Sequence, residues 1–160
     1  MTMSSIFLVG SDAQVGQELL AQLNDESLKV VTDHFEGTPS NSLQRGHLLD
    51  QMRRFGPFDH LVLCLPSCDA QMDLDPYHAA IVAIARPLLS VNTAVELWPE
   101  WSGHCYVVVE DQASSESAAG ILQQSMVRHG IEILSELHAD LNMTILKWPT
   151  DRARLITLLR

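Results

Sequence analysis

Residues 8–23 read LVGSDAQVGQELLAQL: the end of a short apolar run, two glycines six apart, then Val15, Leu19, Leu20 and Leu23 at helical spacing. The run starts earlier, as SIFLV from Ser5, and stops at Gly10. The segment therefore predicts a buried strand, a tight turn and an amphipathic helix, in that order. A turn of this kind that holds a dinucleotide needs one glycine for the bend, one where backbone approaches a pyrophosphate, and one where helix packs closely on strand. Gly10 meets the first need and Gly16 the third. Gln14 stands near the middle position, where a long side chain crowds the phosphates unless it turns away. Ser11 and the free helix N-terminus offer contacts to an anion. Asp33 ends the next apolar run, where an acidic group meets an adenosine ribose. Gly10, Ser11, Gln14, Gly16 and Asp33 are thus the candidate cofactor contacts. The alternative is that Gly10 is an ordinary turn glycine and Asp33 a solvated strand end.

The same grammar recurs along the chain. LKVVTDHF, from Leu28, predicts a second strand, and the turn-rich EGTPSNS leads to Ser42, a candidate cap for a helix carrying Leu48, Leu49, Met52 and Phe55 on one side. GPFDHLVLCLP places a strand at 60–65 before a proline stop. The apolar stretch 76–98 predicts a long helix, with a bend expected at Pro87. HCYVVVED is a strand buried on both faces. From Ser114 to about Leu141 the pattern is helical, with Ile121, Leu122, Met126, Ile133, Leu137 and Leu141 as its apolar stripe. NMTILKWP gives a last clear strand, and ARLITLLR a short helix or an edge strand. Alternating strands and helices predict an α/β fold, a three-layer Rossmann-like doubly wound and mostly parallel sheet.

With 160 residues, 46% of them apolar, the chain suits one compact domain spanning 1–160. Twenty acidic against ten basic residues, a formal charge of -10, argue against nucleic acid or an anionic membrane as partner. The opening MTMSSIFLVG has no basic leader, and no window approaches the roughly 18 apolar residues of a membrane span, so a cytoplasmic location is expected. Cys64, Cys68 and Cys105 are odd in number and lie in or beside apolar runs, which fits reduced, mostly buried thiols better than a disulfide framework, with room for two or three to approach one another beside the sheet's carboxyl edge. No C-x2-C pair points to a metal site. His60 and His104 are possible bases for a thiol, with core-edge histidine the plainer reading. Glu110, Asp111, Asp69, Asp73 and Asp75 read as a solvated acidic rim.

The order of these pieces resembles the short-chain dehydrogenase/reductase family, above all its compact members. VGSDAQVG resembles the glycine-rich first turn, GPFDHLVLCLP the strand and loop before the nicotinamide side, and MVRHGIEILSELHADLNMTILKWP the long helix and following strand. The resemblance implies NAD or NADP as cofactor and hydride transfer by a tyrosine, a lysine four residues on, a serine and an asparagine. Their positions fall near Gln123, Val127, Glu110 or Asp111 (with Ser114 and Ser115 a few residues later), and Ala85. Glutamine exchanges no proton at neutral pH, and valine brings no charge. No shift of alignment restores the pair, because the only tyrosines are Tyr77 and Tyr106 and the only lysines Lys29 and Lys147. The loop CLPSC presents Pro66 and Cys68 where the family carries small residues, and the C-terminal part that usually holds substrate loops is short.

The resemblance also implies that the helices at 76–98 and 115–141 pair with their copies in a dimer. The unbroken apolar run 79–85 fits that expectation, because a sheet covers only one face of it. The expectation is therefore an inactive reductase-like module, with no catalytic residue and no required cofactor, that associates with itself or with another protein. Two alternatives stay open. One is a biosynthetic enzyme (reductase, cyclase or isomerase) using unusual groups such as Glu110 or His104. The other is a sensor that binds NAD or NADP without turnover.

Overall fold

The computed structural model describes residues 3–11, 14–24, 27–33, 41–65, 86–98, 103–110 and 118–160. In chain order its elements are β1 (Ser4–Val9), α1 (Gln14–Gln22), β2 (Leu28–Asp33), α2 (Asn41–Phe55), β3 (His60–Cys64), α3 (Arg86–Leu97), β4 (His104–Glu110), α4 (Ala118–Leu137), β5 (Asn142–Trp148) and α5 (Arg152–Leu159). The strands form one sheet in the order β2-β1-β3-β4-β5, and every pairing is parallel. The expected doubly wound Rossmann-like α/β fold is therefore present.

Strand position in the sheet follows from sequence character. Residues 6–9, 61–64 and 105–108 are continuous apolar runs, and each is buried throughout, as strands covered on both faces must be. The outer strands β2 and β5 mix Lys29, Thr32, Asn142 and Lys147 with apolar residues, and those polar positions are at least partly exposed. Because successive strand residues point to opposite faces, the core splits into two layers. On one face Phe7, Val9, Leu61, Leu63, Cys105 and Val107 pack with Met52 of α2, Leu88, Val91 and Ala94 of α3, and Val127 and Leu134 of α4. On the other, Ile6, Leu8, Val62, Cys64, Tyr106 and Val108 pack with Val15 and Leu19 of α1 and Leu155 and Leu159 of α5. Burial of each such aliphatic side chain stabilises the fold by about 1.5–3 kcal/mol before chain entropy is set against it.

Several sequence expectations need correction. Ser42 lies inside α2, which begins at Asn41, so it is not the residue preceding the helix. The helix expected to run to Leu141 ends at Leu137. Leu141 is buried beyond it, and its N–H donates to the His138 carbonyl at 3.0 Å. Of the two readings open for ARLITLLR, the short helix is the one observed. The apolar stripe read for the helix at 114–141 divides, with Leu141 packed in the core, Met126 packed against it and three other members in solvent. Val127, Ile131 and Leu134 point inward, whereas Ile121, Ile133 and Leu137 are 60%, 49% and 67% exposed. Of the helix expected at 76–98, Arg86–Leu97 is described, with Pro87 in its first turn, where a missing N–H disturbs no helical bond. The bend expected at Pro87 and the run 79–85 fall at the boundary of, or outside, the described residues.

Candidate functional site

Strand order reverses between β1 and β3. The chain passes from β1 outward to β2, then crosses to β3 on β1's other side. In open α/β sheets such a reversal leaves a crevice beyond the carboxyl ends of the two strands, and ligands bind there. Gly10 follows β1 directly at this point. Its φ is +90°, a conformation open to glycine, and a Cβ there would run into the carbonyl oxygen of Cys64 at the end of β3. Gly16 is buried in the first turn of α1, where a Cβ would meet the Gly10 carbonyl oxygen and, at 3.0 Å, the Ser11 Cα. The two glycines thus do what the sequence asked of them, one making the bend and the other letting the helix lie on the turn. Asp33 ends β2 in register with Val9, so its backbone stands beside the start of the same turn.

The middle position is settled by geometry that the local sequence only half reveals. Gln14 is the first residue of α1 and is exposed, but its side chain folds back along the helix: Nε2 donates to Oε1 of Glu18 at 3.2 Å. Glu18 is itself held from the far side of the layer, because Trp148 at the carboxyl end of β5 donates its Nε1–H to Oε2 at 2.7 Å. The indole hydrogen bond, then that from Gln14, keeps the Glu18 carboxyl below its ordinary pKa. The Arg152 guanidinium sits over the Trp148 ring, 5.9 Å from its centroid. Neither Glu18 nor Trp148 was singled out from sequence. The Gln14–Glu18 spacing of four was a visible signal; nothing in the sequence joins Glu18 to a tryptophan 130 positions away.

The positions matched to the family's catalytic groups are described only in part. Val127 is 2% exposed within the core, and the Gln123 side chain lies outside the described residues. Tyr106 pairs with Val62 and Thr144 in mid-sheet, where burial raises its pKa. Lys29 Nζ donates to the Phe55 carbonyl at 3.3 Å, and Lys147 is exposed on β5. Glu110 ends β4, exposed and opposite Trp148. Tyr77, Ala85, Asp111, Ser114, Ser115, Pro66, Cys68, Asp69, Asp73 and Asp75 lie outside the described residues.

The approach of Cys105 to Cys64 beside the carboxyl edge is not observed. Cys105 is the second residue of β4 and faces the layer opposite Cys64, so these two thiols do not gather at that edge. Burial pushes the Cys64 thiol up to about 12 and raises that of Cys105 as well, which keeps both protonated and unreactive. His60 and His104 begin β3 and β4, at the amino edge, remote from the turn. There the His104 ring stacks on Tyr106 at 4.5 Å, and its Nε2 lies 2.9 Å from Thr144 Oγ1. Among the described residues, His60 Nδ1 is buried with no hydrogen-bond partner. Desolvation lowers the pKa of both imidazoles. Among the described residues no group of three His, Cys, Asp or Glu side chains is placed to hold a metal, and no helix is long and apolar enough to cross a membrane. A separate groove of about 670 Å³ runs between α1 and β2, lined by Gln17, Leu20, Leu23, Asn24 and Val30 among others.

The sequence matches no protein-family model and no curated protein. Solved structures do match its fold. A small-chain dehydrogenase superposes with a TM-score of 0.68 at 12% identity, covering 98% of this chain and 89% of its own. BdcA from E. coli gives 0.65 at 16% identity, covering 99% and 90%. An alcohol dehydrogenase from the archaeon Thermococcus sibiricus, complexed with 5-hydroxy-NADP, gives 0.61 at 12% identity, covering 91% and 75%. The chain therefore has a fold like that of short-chain dehydrogenases.

Proposed function

We propose that this chain is a reductase-like module that has lost hydride-transfer chemistry and works by association, first of all with a second copy of itself through α3 and α4. The observation that carries the reading is the flank of α4 formed by Ile133 and Leu137, four apart and so on one face, beside Met126, which packs partly against the core. Ile133 and Leu137 are about half and two-thirds exposed, and the flank borders α3, whose Leu88 comes against Gly130. Exposed aliphatic side chains in a row on one helix mark an association surface better than scattered ones. Val127 buried at the lysine position, with no tyrosine or lysine elsewhere on the helix, supports the loss of chemistry.

Light scattering on the purified protein tests the association. The expected mass is twice the 17.8 kDa of the chain. Ile133→Asp with Leu137→Asp is expected to give single chains with an unchanged circular dichroism spectrum, since both side chains are already in water. A wild-type protein of single-chain mass at tens of micromolar would sink the reading.

A second reading is favoured by one observation, the Gln14 side chain turned along α1. The bend at Gly10 and the close packing at Gly16 support it too: the crevice binds NAD or NADP without turning it over. Calorimetric titration with NADH and NADPH tests this. Dissociation constants near 10 micromolar, roughly 7 kcal/mol, support it, and no heat at several hundred micromolar rejects it.

A further inference from the structure

We infer that Trp148 and Glu18 are positioning residues for the dinucleotide turn: together they hold the Gln14 side chain off the space between Gly10 and Gly16. The inference rests on the second reading above, that the turn binds a dinucleotide. Its geometry is a chain of two hydrogen bonds meeting on one carboxylate. Trp148 Nε1–H donates to Glu18 Oε2 at 2.7 Å, and Gln14 Nε2–H donates to Glu18 Oε1 at 3.2 Å. The first bond is short and charge-assisted, and it comes from a side chain only 3% exposed, so Glu18 has a fixed anchor. The second bond then gives Gln14 a preferred direction along the helix. An isolated Gln14–Glu18 pair would be weak, because an exposed pair four apart on a helix contributes little by itself. Trp148 converts that loose pair into a held one by removing the rotational freedom of the carboxylate.

The consequence for binding follows from rotamer populations. A Gln14 released from Glu18 distributes over its staggered χ1 wells. The fraction of molecules with an open turn then falls, and apparent affinity falls in proportion. With about three wells available, of which not all obstruct the turn, the loss is bounded at about threefold. The arrangement also connects the turn to β5 and α5, since Trp148 ends the strand and Arg152, over its ring, begins the helix.

The test uses the full chain. Trp148→Phe keeps an aromatic ring in the layer, removes the indole N–H and leaves every charge in place. Two measurements are made on it. The side-chain amide resonances of Gln14, assigned with Gln14→Ala, are expected to move toward their free-peptide positions in Trp148→Phe. Affinity for NADH and NADPH is expected to fall by up to about threefold in Trp148→Phe and to be unaffected by Trp148→Phe once Gln14 is alanine. That last cancellation separates positioning from a general structural defect, which would persist in the double variant. Glu18→Gln, which leaves one carbonyl oxygen to receive two donors, is the second variant should Trp148→Phe fold poorly. It is read against its own Gln14→Ala partner because it also removes a charge near the turn.

Gln14 resonances that do not respond to Trp148→Phe or Glu18→Gln overturn the relay whatever the turn binds. A loss of affinity that survives in the Gln14→Ala background overturns it too. If the resonances respond but neither wild type nor Gln14→Ala binds NADH or NADPH, it is the dinucleotide reading that fails, and the positioning role falls with it.

Discussion

Replacing Gly16 with alanine separates a glycine required by packing from one that is incidental, and Gly46 provides the internal standard. Gly46 is exposed in α2, and a Cβ there meets no atom of the described residues within 4 Å. Gly46→Ala therefore gains the ordinary helix-propensity difference, about 1 kcal/mol of added stability. Gly16→Ala gains the same amount, but its methyl group enters space held by the Gly10 carbonyl oxygen and the Ser11 Cα, both of them backbone. Neither obstacle moves by a side-chain rotation, so α1 must lift from the turn. Overpacking of this kind costs about 1–3 kcal/mol, and rigid backbone on both sides puts it in the upper half of that range. The net expectation is a loss of about 1–2 kcal/mol, leaving the two variants about 2–3 kcal/mol apart. Urea denaturation of the three proteins reads the difference directly. Thermal scans read it as well, since 1 kcal/mol moves Tm by about 2–4 °C in a chain of this size. Were Gly16→Ala to stabilise the protein as much as Gly46→Ala, the close seating of α1 on the turn would be refuted, and with it the case that this is a phosphate-type turn.

The histidines at the amino edge predict a loss of stability on mild acidification. Desolvation lowers the folded-state pKa of His60 and His104, whereas unfolded imidazoles bind protons near pH 6.5, so below that pH the unfolded chain holds more protons and stability falls with pH. The slope is at most about 1.4 kcal/mol per pH unit for each group, less after solvent screening. Denaturation midpoints from pH 7.5 to 5 should decline in wild type and decline less in His60→Phe, while equal slopes in the two proteins would contradict the assignment. Asp59 acts in a lower window. The Ser5 N–H at 2.8 Å and then the Ser5 hydroxyl at 2.9 Å hold its carboxyl below the ordinary value. Its contribution is complete above the usual carboxylate range and is lost as pH falls through the lowered pKa. Asp59→Ala should cost about 1 kcal/mol at pH 7, measured by urea denaturation, and an unchanged midpoint would show that the link between β1 and β3 adds nothing.

What was legible in the sequence was whatever depends on near neighbours along the chain. Apolar runs ended by Gly10 or followed by proline identified β1 and β3, and three wholly apolar strands identified the sheet's centre. The bend at Gly10 and the packing role of Gly16 followed from their spacing alone. Periodicity identifies Ile121, Ile133 and Leu137 as apolar positions on a helix but carries no information about what covers them, and Val127 and Leu134 occupy the core instead. Cys105 was placed near the carboxyl edge because a run such as HCYVVVE does not reveal how far along the sheet each residue sits until its register with His60–Cys64 is known. Glu18 and Trp148 escaped notice for a related reason: a contact across 130 positions leaves no trace in local pattern. Gln14 looked obstructive from the sequence because the partner that turns it aside is itself fixed by that distant contact.

The two inert cysteines provide a kinetic instrument. Cys64 is buried in the layer covered by α1 and α5, Cys105 in the layer covered by α2, α3 and α4. Since only a thiolate exposed to solvent is alkylated at an appreciable rate, each sulfur stays silent until its own set of helices departs. Pulse labelling followed by peptide mass analysis would time the two departures in one sample. Equal rates would describe a sheet that sheds both coats in one cooperative event, and unequal rates would identify which coat comes off while the other remains.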